Sequence, residues 1–347
     1  MKKTTPLKNR TGNSQIIRQM KGMITRRSFF VGSAICLTAP RLAVGQTDAL
    51  ASAIQNLPQL HSMQVQRGDE VVFASAPNGP GLDRSANIKS CSKSIVALLL
   101  GTAINSQEIP SIDATLRDVA PQLLPVGATP GAENITMEDL VTLRAGLERT
   151  SGGNYGAWIS SPNWIADALS RPMIAEPGTQ MLYSTGSTHV LGAALTEAAG
   201  QNLLQMTRER LGEPLGIEVP AWVRDPQGYY LGGNEMALTP KAMLKIAIML
   251  RDRGAFGAQQ VVPENWISAS TRPHGRSQFS GLAYGYGWFL TPSGYALARG
   301  YGGQIIAAHP RRNLAVAITS DPTRPARSGG YFGDLIQLLN GPVLNVT

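Results

Sequence analysis

Apolar and polar residues alternate in two short runs, His61–Gln66 and Glu70–Ala74, and Arg67-Gly68-Asp69 between them supplies a hairpin-type turn. A short helix over residues 47–57 precedes the pair. Pro77 to Ser85, rich in Gly, Pro and Asn, leads to the unbroken apolar run Ile95-Val96-Ala97-Leu98-Leu99-Leu100, read as a helix that opens near Ser90. Helical spacing recurs at 137–146, 164–170, 188–199, 201–211 and 240–253, in a region punctuated by prolines. From Tyr284 the period changes. Tyr284–Trp288, Tyr295–Arg299, Gln304–Ala308 and Leu314–Thr319 alternate or run apolar, with a clear turn at Pro310-Arg311-Arg312-Asn313, and Phe332–Leu339 predicts a closing helix. Strands at both ends with helices between them predict an α+β fold. Its antiparallel sheet has about five strands, drawn from residues 46–85 and 284–347 and flanked by terminal helices. A mostly helical insert occupies 86–283, and no internal repeat or linker divides residues 46–347 into independent domains.

Charge changes the picture at one end only. The chain of 347 residues carries a net +8, a value that invites a nucleic-acid partner. Nine of its 31 basic residues fall within residues 1–45, which hold no acid; the other 22 face all 23 acidic residues, a net of −1. Basicity therefore belongs to the leader, and nucleic acid is discounted as a partner. Thr25-Arg26-Arg27-Ser28-Phe29-Phe30 resembles a bacterial twin-arginine signal. The apolar stretch Val31–Ala39 that follows is far below the ~20 residues a membrane span needs. Ala43-Val44-Gly45 offers a cleavage site before Gln46. These features predict a signal peptide over residues 1–45, passage through the twin-arginine export machinery, and a periplasmic or secreted protein without a stable membrane anchor. Cys36 lies in that leader, so Cys91 alone remains in the rest of the chain and no internal disulfide is available. Beside Ser90, Cys91 reads as a small buried apolar residue rather than a thiol nucleophile.

Candidate chemistry starts at Ser90-Cys91-Ser92-Lys93. A serine and a lysine three apart share one helix face, and a helix N-terminus adds free N–H groups where an oxyanion would form. Serine is inert until a base takes its proton, so the pair reads as an acyl-transfer centre. Taken alone, it reads equally as a helix cap followed by a surface lysine. Tyr183, after the Pro177-Gly178 turn and ahead of a helix, is a poor base unless a cation such as Lys93 stabilises its phenolate; by itself it fits a half-buried core tyrosine. Arg299-Gly300-Tyr301-Gly302-Gly303-Gln304, on a late strand, offers a glycine-lined edge for a ligand or a strand bend at a crowded corner. The four histidines show no metal spacing, no dinucleotide or phosphate-binding loop follows any strand, and no Gly-x-Ser-x-Gly elbow exists. No cofactor or metal is expected.

In this order these elements resemble the serine β-lactamase and penicillin-binding superfamily, specifically the class C β-lactamase-related hydrolases. Further segments carry the resemblance: Ile135-Thr136-Met137-Glu138-Asp139-Leu140, Arg210-Leu211-Gly212-Glu213-Pro214-Leu215-Gly216-Ile217, Leu238-Thr239-Pro240-Lys241-Ala242-Met243 and Val262-Pro263-Glu264-Asn265-Trp266. It implies Ser90 as nucleophile, Lys93 as its activator and Tyr183 as the base that passes a proton to the leaving group. The implied oxyanion hole is the backbone N–H of Ser90 with that of Gln304. Thr185 stands where class C lactamases carry an asparagine, Tyr301 where relatives carry a lysine or histidine facing a carboxylate, and Arg144-Ala145-Gly146 where Thr-Ser-Gly is usual. Strand alternation puts Arg299 on the face of Tyr301, as a candidate replacement cation. Thr185, Tyr301, Gly302 and Gly303 are expected to bind substrate, with Tyr155 and Trp158 as candidate walls of the acyl pocket. These departures point away from an efficient β-lactamase and towards cleavage of small esters or linear amides, as in the esterase and nylon-oligomer-hydrolase branch. The alternative is a penicillin-binding-like module that is acylated by cell-wall peptide or β-lactam with little turnover.

Overall fold

The computed structural model describes residues 41–346, and within 41–46 the backbone only. The twin-arginine and apolar features of the leader lie outside the described residues. Helix α1 (Arg41–Gln55) runs through the expected cleavage position, so a cut before Gln46 removes its first five residues.

Two strands follow as the alternation predicts, β1 (Leu60–Arg67) and β2 (Glu70–Ser75), paired antiparallel. Helix α2 (Ser92–Asn105) begins the helical region, which also holds α3 (Thr185–Ala199) and α4 (Pro240–Arg251). Local signals set their ends. Thr239 Oγ1 accepts the Ala242 N–H at 3.0 Å ahead of Pro240, and Gly200 closes α3 in the left-handed region. A reciprocal capping box between Thr136 and Asp139 starts the short helix Met137–Val141.

The chain then returns to the sheet with β3 (Gly275–Arg276), β4 (Ala283–Tyr284), β5 (Phe289–Leu290), β6 (Ala296–Gly300), β7 (Gln304–His309) and β8 (Leu314–Ser320). Strand order is β2-β1-β8-β7-β6-β5-β4-β3, so the first strand of the chain lies against the last, Val65 opposite Val316. The sheet has eight strands where about five are expected. Its three additional strands are two residues each, too short to leave an alternating pattern, and they extend the sheet back to Gly275. Of Tyr284–Trp288, expected as one strand, only Tyr284 is extended, at the end of β4; residues 285–288 are the bend between β4 and β5.

Both faces of the sheet are covered, which explains the continuous apolar runs of β7 and β8. Leu297, Ile305, Ala307, Val316 and Ile318 pack with Leu50 and Ile54 of α1 and with Phe332, Leu335 and Leu338 of α5 (Tyr331–Leu338). The opposite face is nearly all small: Ala296, Ala298, Ala308, Ala315 and Ala317 accompany Ile306 against the helical region. Methyl-sized side chains let α4 settle on β7 and β8 and bring α2, with Ser90 ahead of it, close to the end of β6.

Candidate active site

Ser90 sits in the tight turn Lys89–Cys91 that leads into α2. Lys89 adopts a left-handed φ of 51°, and Asn87 Oδ1 holds its N–H at 2.9 Å. A non-glycine residue in that region is strained, and the strain is held where the neighbouring Ser90 must point outward. Lys89 Nζ pairs with Glu235 at 3.0 Å, which also takes Asn87 Nδ2 and ties the turn to the loop before α4.

Lys93, one turn into α2, is 3% exposed. Its Nζ lies 3.2 Å from Ser90 Oγ, 3.3 Å from Thr185 Oγ1 and 2.6 Å from the Gly233 carbonyl. Burial pulls its pKa from the ordinary 10.5 to about 7, opposed by Cys91. Burial holds the Cys91 thiol far above its usual range, so at neutral pH it is uncharged and leaves Lys93 little electrostatic support. Nζ donates to the Gly233 carbonyl and Thr185 Oγ1, and its third contact is the Ser90 hydroxyl.

Tyr183 reaches Ser90 from the other side. Burial raises its hydroxyl to about 12, against the lowering effects of a hydrogen bond with Ser90 and the charge of Arg299. Lys93 Nζ is 5.0 Å from the centre of its ring, and Phe289 stacks on it at 6.2 Å. The trio thus brings together an amine of lowered pKa, the Ser90 hydroxyl and a phenol of raised pKa.

Two cavities meet at Ser90 and share Tyr183, Phe279 and Tyr301 as walls. The smaller, about 230 Å³, is completed by Ser277, Phe289, Arg299, Gly300 and Ala326. The larger, about 590 Å³, is completed by polar groups that include Lys89, Arg149, Ser151, Tyr155, Thr185, Asn234 and Glu235. Arg299 donates to the Ala326 carbonyl at 2.7 Å and Ser328 Oγ at 3.3 Å and lies 3.6 Å over the Phe332 ring. Among the described residues it has no carboxylate partner.

Ser90, Lys93, Tyr183, Thr185, Tyr155 and Tyr301 are brought together as expected, though Thr185 and Tyr301 stand differently. Thr185 Oγ1 is occupied by Lys93 and by Ser151 Oγ at 2.9 Å, so it braces the lysine. Tyr301 lies just past β6, in a turn rather than on the strand, and is 53% exposed at the cleft mouth. Tyr155 lines the larger cavity and accepts a hydrogen bond from Asn234 at 2.9 Å.

Four expected residues stand elsewhere. Gly302 and Gly303 have φ of 84° and 99°, and added methyl groups would meet the Asp321 carbonyl at 2.3 Å and Tyr331 at 2.7 Å. They turn the chain and pack away from the cleft. Gln304 is fully buried: its carbonyl accepts the Cys91 thiol and its side chain bridges to Ser320. Its N–H is therefore not on the cavity wall, which Gly300 and Tyr301 form beside Ser90. Trp158 is also fully buried, against Trp164 and His189. Sequence reasoning missed Ser151, Gly233 and Asn234. The only sequence trace of the latter pair is the Gly232-Gly233-Asn234 turn cluster.

A family model described as Beta-lactamase matches residues 50–339. Among solved structures, a Bacillus anthracis protein provisionally assigned as a 6-aminohexanoate-dimer hydrolase superposes with a TM-score of 0.71 at 16% identity, over 86% of this chain and 81% of its own. EstCE1, a hydrolase with promiscuous acyltransferase activity, gives 0.69 at 18% identity, over 87% of this chain and 99% of its own. The octameric penicillin-binding protein homologue from Pyrococcus abyssi gives 0.66 at 18% identity, over 86% and 78%. No curated protein matches the sequence. At such identities the structural likeness establishes the fold.

Proposed function

This chain belongs to the beta-lactamase family, and from that premise we propose that it is a serine hydrolase cleaving small esters or linear amides through an acyl-enzyme on Ser90. The observation that carries the reading is the buried Lys93 amine, 3.2 Å from Ser90 Oγ with its pKa brought to about 7. Neutral Lys93 takes the Ser90 proton as Oγ attacks the substrate carbonyl. Tyr183 gives its proton to the departing oxygen or nitrogen, and the ammonium of Lys93 restores it. The net transfer is from Ser90 to the leaving group. Water then enters and attacks the acyl carbon as Lys93 takes its proton; Lys93 passes that proton to Ser90 Oγ as the acid leaves, which restores the free hydroxyl and the neutral amine.

The developing oxyanion falls between the N–H groups of Ser90 and Tyr301, since both residues line the two cavities and, among the described residues, neither N–H has a backbone acceptor. Two features argue against efficient β-lactam turnover. Thr185 is engaged by Lys93 and Ser151, and the aromatic, uncharged Tyr301 stands at the cleft mouth. Export through the twin-arginine route to the periplasm belongs to the same proposal, on the strength of Arg26-Arg27 and the apolar stretch behind them. Replacing both arginines by lysine should hold the protein in the cytoplasm.

The deciding experiment is hydrolysis of a short-chain p-nitrophenyl ester by residues 46–347 beside Ser90→Ala. Activity abolished by the substitution supports the proposal, and equal activity in both proteins sinks it. A Ser90 adduct that accumulates by intact mass without turnover would favour an acylated binding module instead.

A further inference from the structure

The carbonyl that holds Lys93 belongs to a Gly-Gly step whose position traces back to a buried histidine. His189 lies on α3 one turn beyond Thr185, and its side chain and that of Asp225 are both 0% exposed. Its Nε2 meets Asp225 Oδ2 at 3.0 Å, while Asp225 Oδ1 accepts the N–H groups of Gln227 and Tyr229 at 3.0 and 2.8 Å. An ionised carboxylate only accepts, so Nε2 carries the proton. Nδ1 must then be bare, and it accepts the Gly232 N–H at 3.4 Å. The next residue, Gly233, turns its carbonyl onto Lys93 Nζ at 2.6 Å.

Close packing fixes the same step. A methyl group on Gly232 would meet the Thr188 carbonyl at 2.5 Å, and one on Gly233 would meet Thr185 at 2.9 Å and Lys93 Nζ at 3.1 Å. Trp158 and Trp164 stand edge-on to the imidazole with ring centres 5.8 and 5.6 Å away, sealing it from solvent.

We propose that His189 and Asp225 are positioning residues for Lys93: Asp225 selects the His189 tautomer that holds Gly232, and so keeps the Gly233 carbonyl on the amine and water away from it. This rests on the reading of Lys93 as the base of Ser90. The charged and titratable groups around Lys93 are Cys91 beside it, Tyr183 and Arg299 towards the sheet, and Lys89, Arg149, Tyr155 and Glu235 on the walls of the larger cavity. Substituting Asp225 alters none of them.

Asp225→Asn is the test, because it preserves shape and reverses the tautomer. With the backbone N–H groups of Gln227 and Tyr229 keeping its oxygen, the new amide turns its NH₂ towards Nε2 and drives the proton to Nδ1. There it opposes the Gly232 N–H, and the loop moves off. Water then reaches Lys93 and its pKa rises. If the rise is one unit, the acid limb of kcat/KM for a small neutral ester climbs by about one pH unit, with activity down about fivefold at pH 7 and nearly restored at pH 9.

An Asp225→Asn enzyme with an unmoved limb, or with equal loss at pH 7 and pH 9, overturns the proposal. If Asp225→Asn fails to fold, the ¹⁵N shifts of His189 in the wild-type chain decide: protonated Nε2 with bare Nδ1 supports it, and the reverse tautomer overturns it. A wild-type profile without an acid limb near pH 7 removes Lys93 as base and the positioning role with it, whereas residual activity in Ser90→Ala separately condemns the serine reading.

Discussion

The smaller lobe of the cleft surrounds one uncompensated guanidinium, Arg299, with Phe279, Phe289 and Ala326, whereas the larger sets Lys89, Arg149, Ser151, Asn234 and Glu235 around an opening more than twice the volume. The first is a small, mostly apolar slot in which size and one charge decide what enters. The second has more polar walls, and several of their groups already have partners: Lys89 with Glu235, the Asn234 Nδ2 with Tyr155, Ser151 with Thr185, while Asn234 Oδ1 has none among the described residues. Selectivity therefore belongs to the small lobe and tolerance to the large one, with Ser90 and Tyr183 common to both.

The largest effect tests what the lobes share. Ser90→Ala should lower kcat/KM by about four orders of magnitude or more for every substrate, whichever lobe it fills; a substrate spared by the change would mean a second centre. Arg299→Met bears on the small lobe alone. Replacing its charge-assisted bonds should cost about 10- to 100-fold for an ester whose small-lobe group ends in a carboxylate, with its neutral isostere unaffected, as read by paired kcat/KM values. Equal losses on both would make Arg299 a structural anchor of the 326–328 segment.

Phe279 divides the lobes and is 61% exposed, so Phe279→Ala should merge them at little cost in stability. The preference for a butyrate over a decanoate ester should fall about tenfold, a few methylenes' worth of exclusion. The smallest effect sets the buried Lys93 amine against the exposed walls of the two lobes. The native Lys93 pKa of about 7 lies below the unfolded value, so between pH 7 and about pH 10 the unfolded chain binds more protons and stability rises with pH. Lys93→Met should flatten that rise and lift Tm at pH 7 by a few degrees. A lower Tm would mean that the bonds to Gly233 and Thr185 outweigh the burial of the amine.

Much of this was legible in the sequence because it is local. Ser90 and Lys93 share one helix turn, Tyr183 follows a rigid turn, and the alternation of β1 and β2 announces a sheet whose closing strand, β8, is a continuous apolar run. Illegible parts are those that tertiary contacts deliver. Gly233 reaches Lys93, and Ser151 reaches Thr185, from loops whose paths depend on packing, and no period marks them. Gly302 and Gly303 are expected at the cleft because Arg299–Gln304 reads as one late-strand edge, and Gln304 because the family resemblance implies it, but the chain leaves β6 at Gly300 and two positive-φ glycines reverse it. Trp158 sits on the loop side of the pocket in sequence and behind it in space, because an indole that finds a carbonyl partner, here that of Trp164, can be wholly buried.

Cys91 gives the fold a clock. Its thiol lies directly under the nucleophile, fully buried, protonated and donating to the Gln304 carbonyl at 3.4 Å, so an alkylating reagent reaches it only when the turn parts from β7. The other cysteine is Cys36, so a chain beginning at Gln46 carries a single label site. Its labelling rate counts openings of the catalytic turn, and an acyl group resting on Ser90 should slow the count.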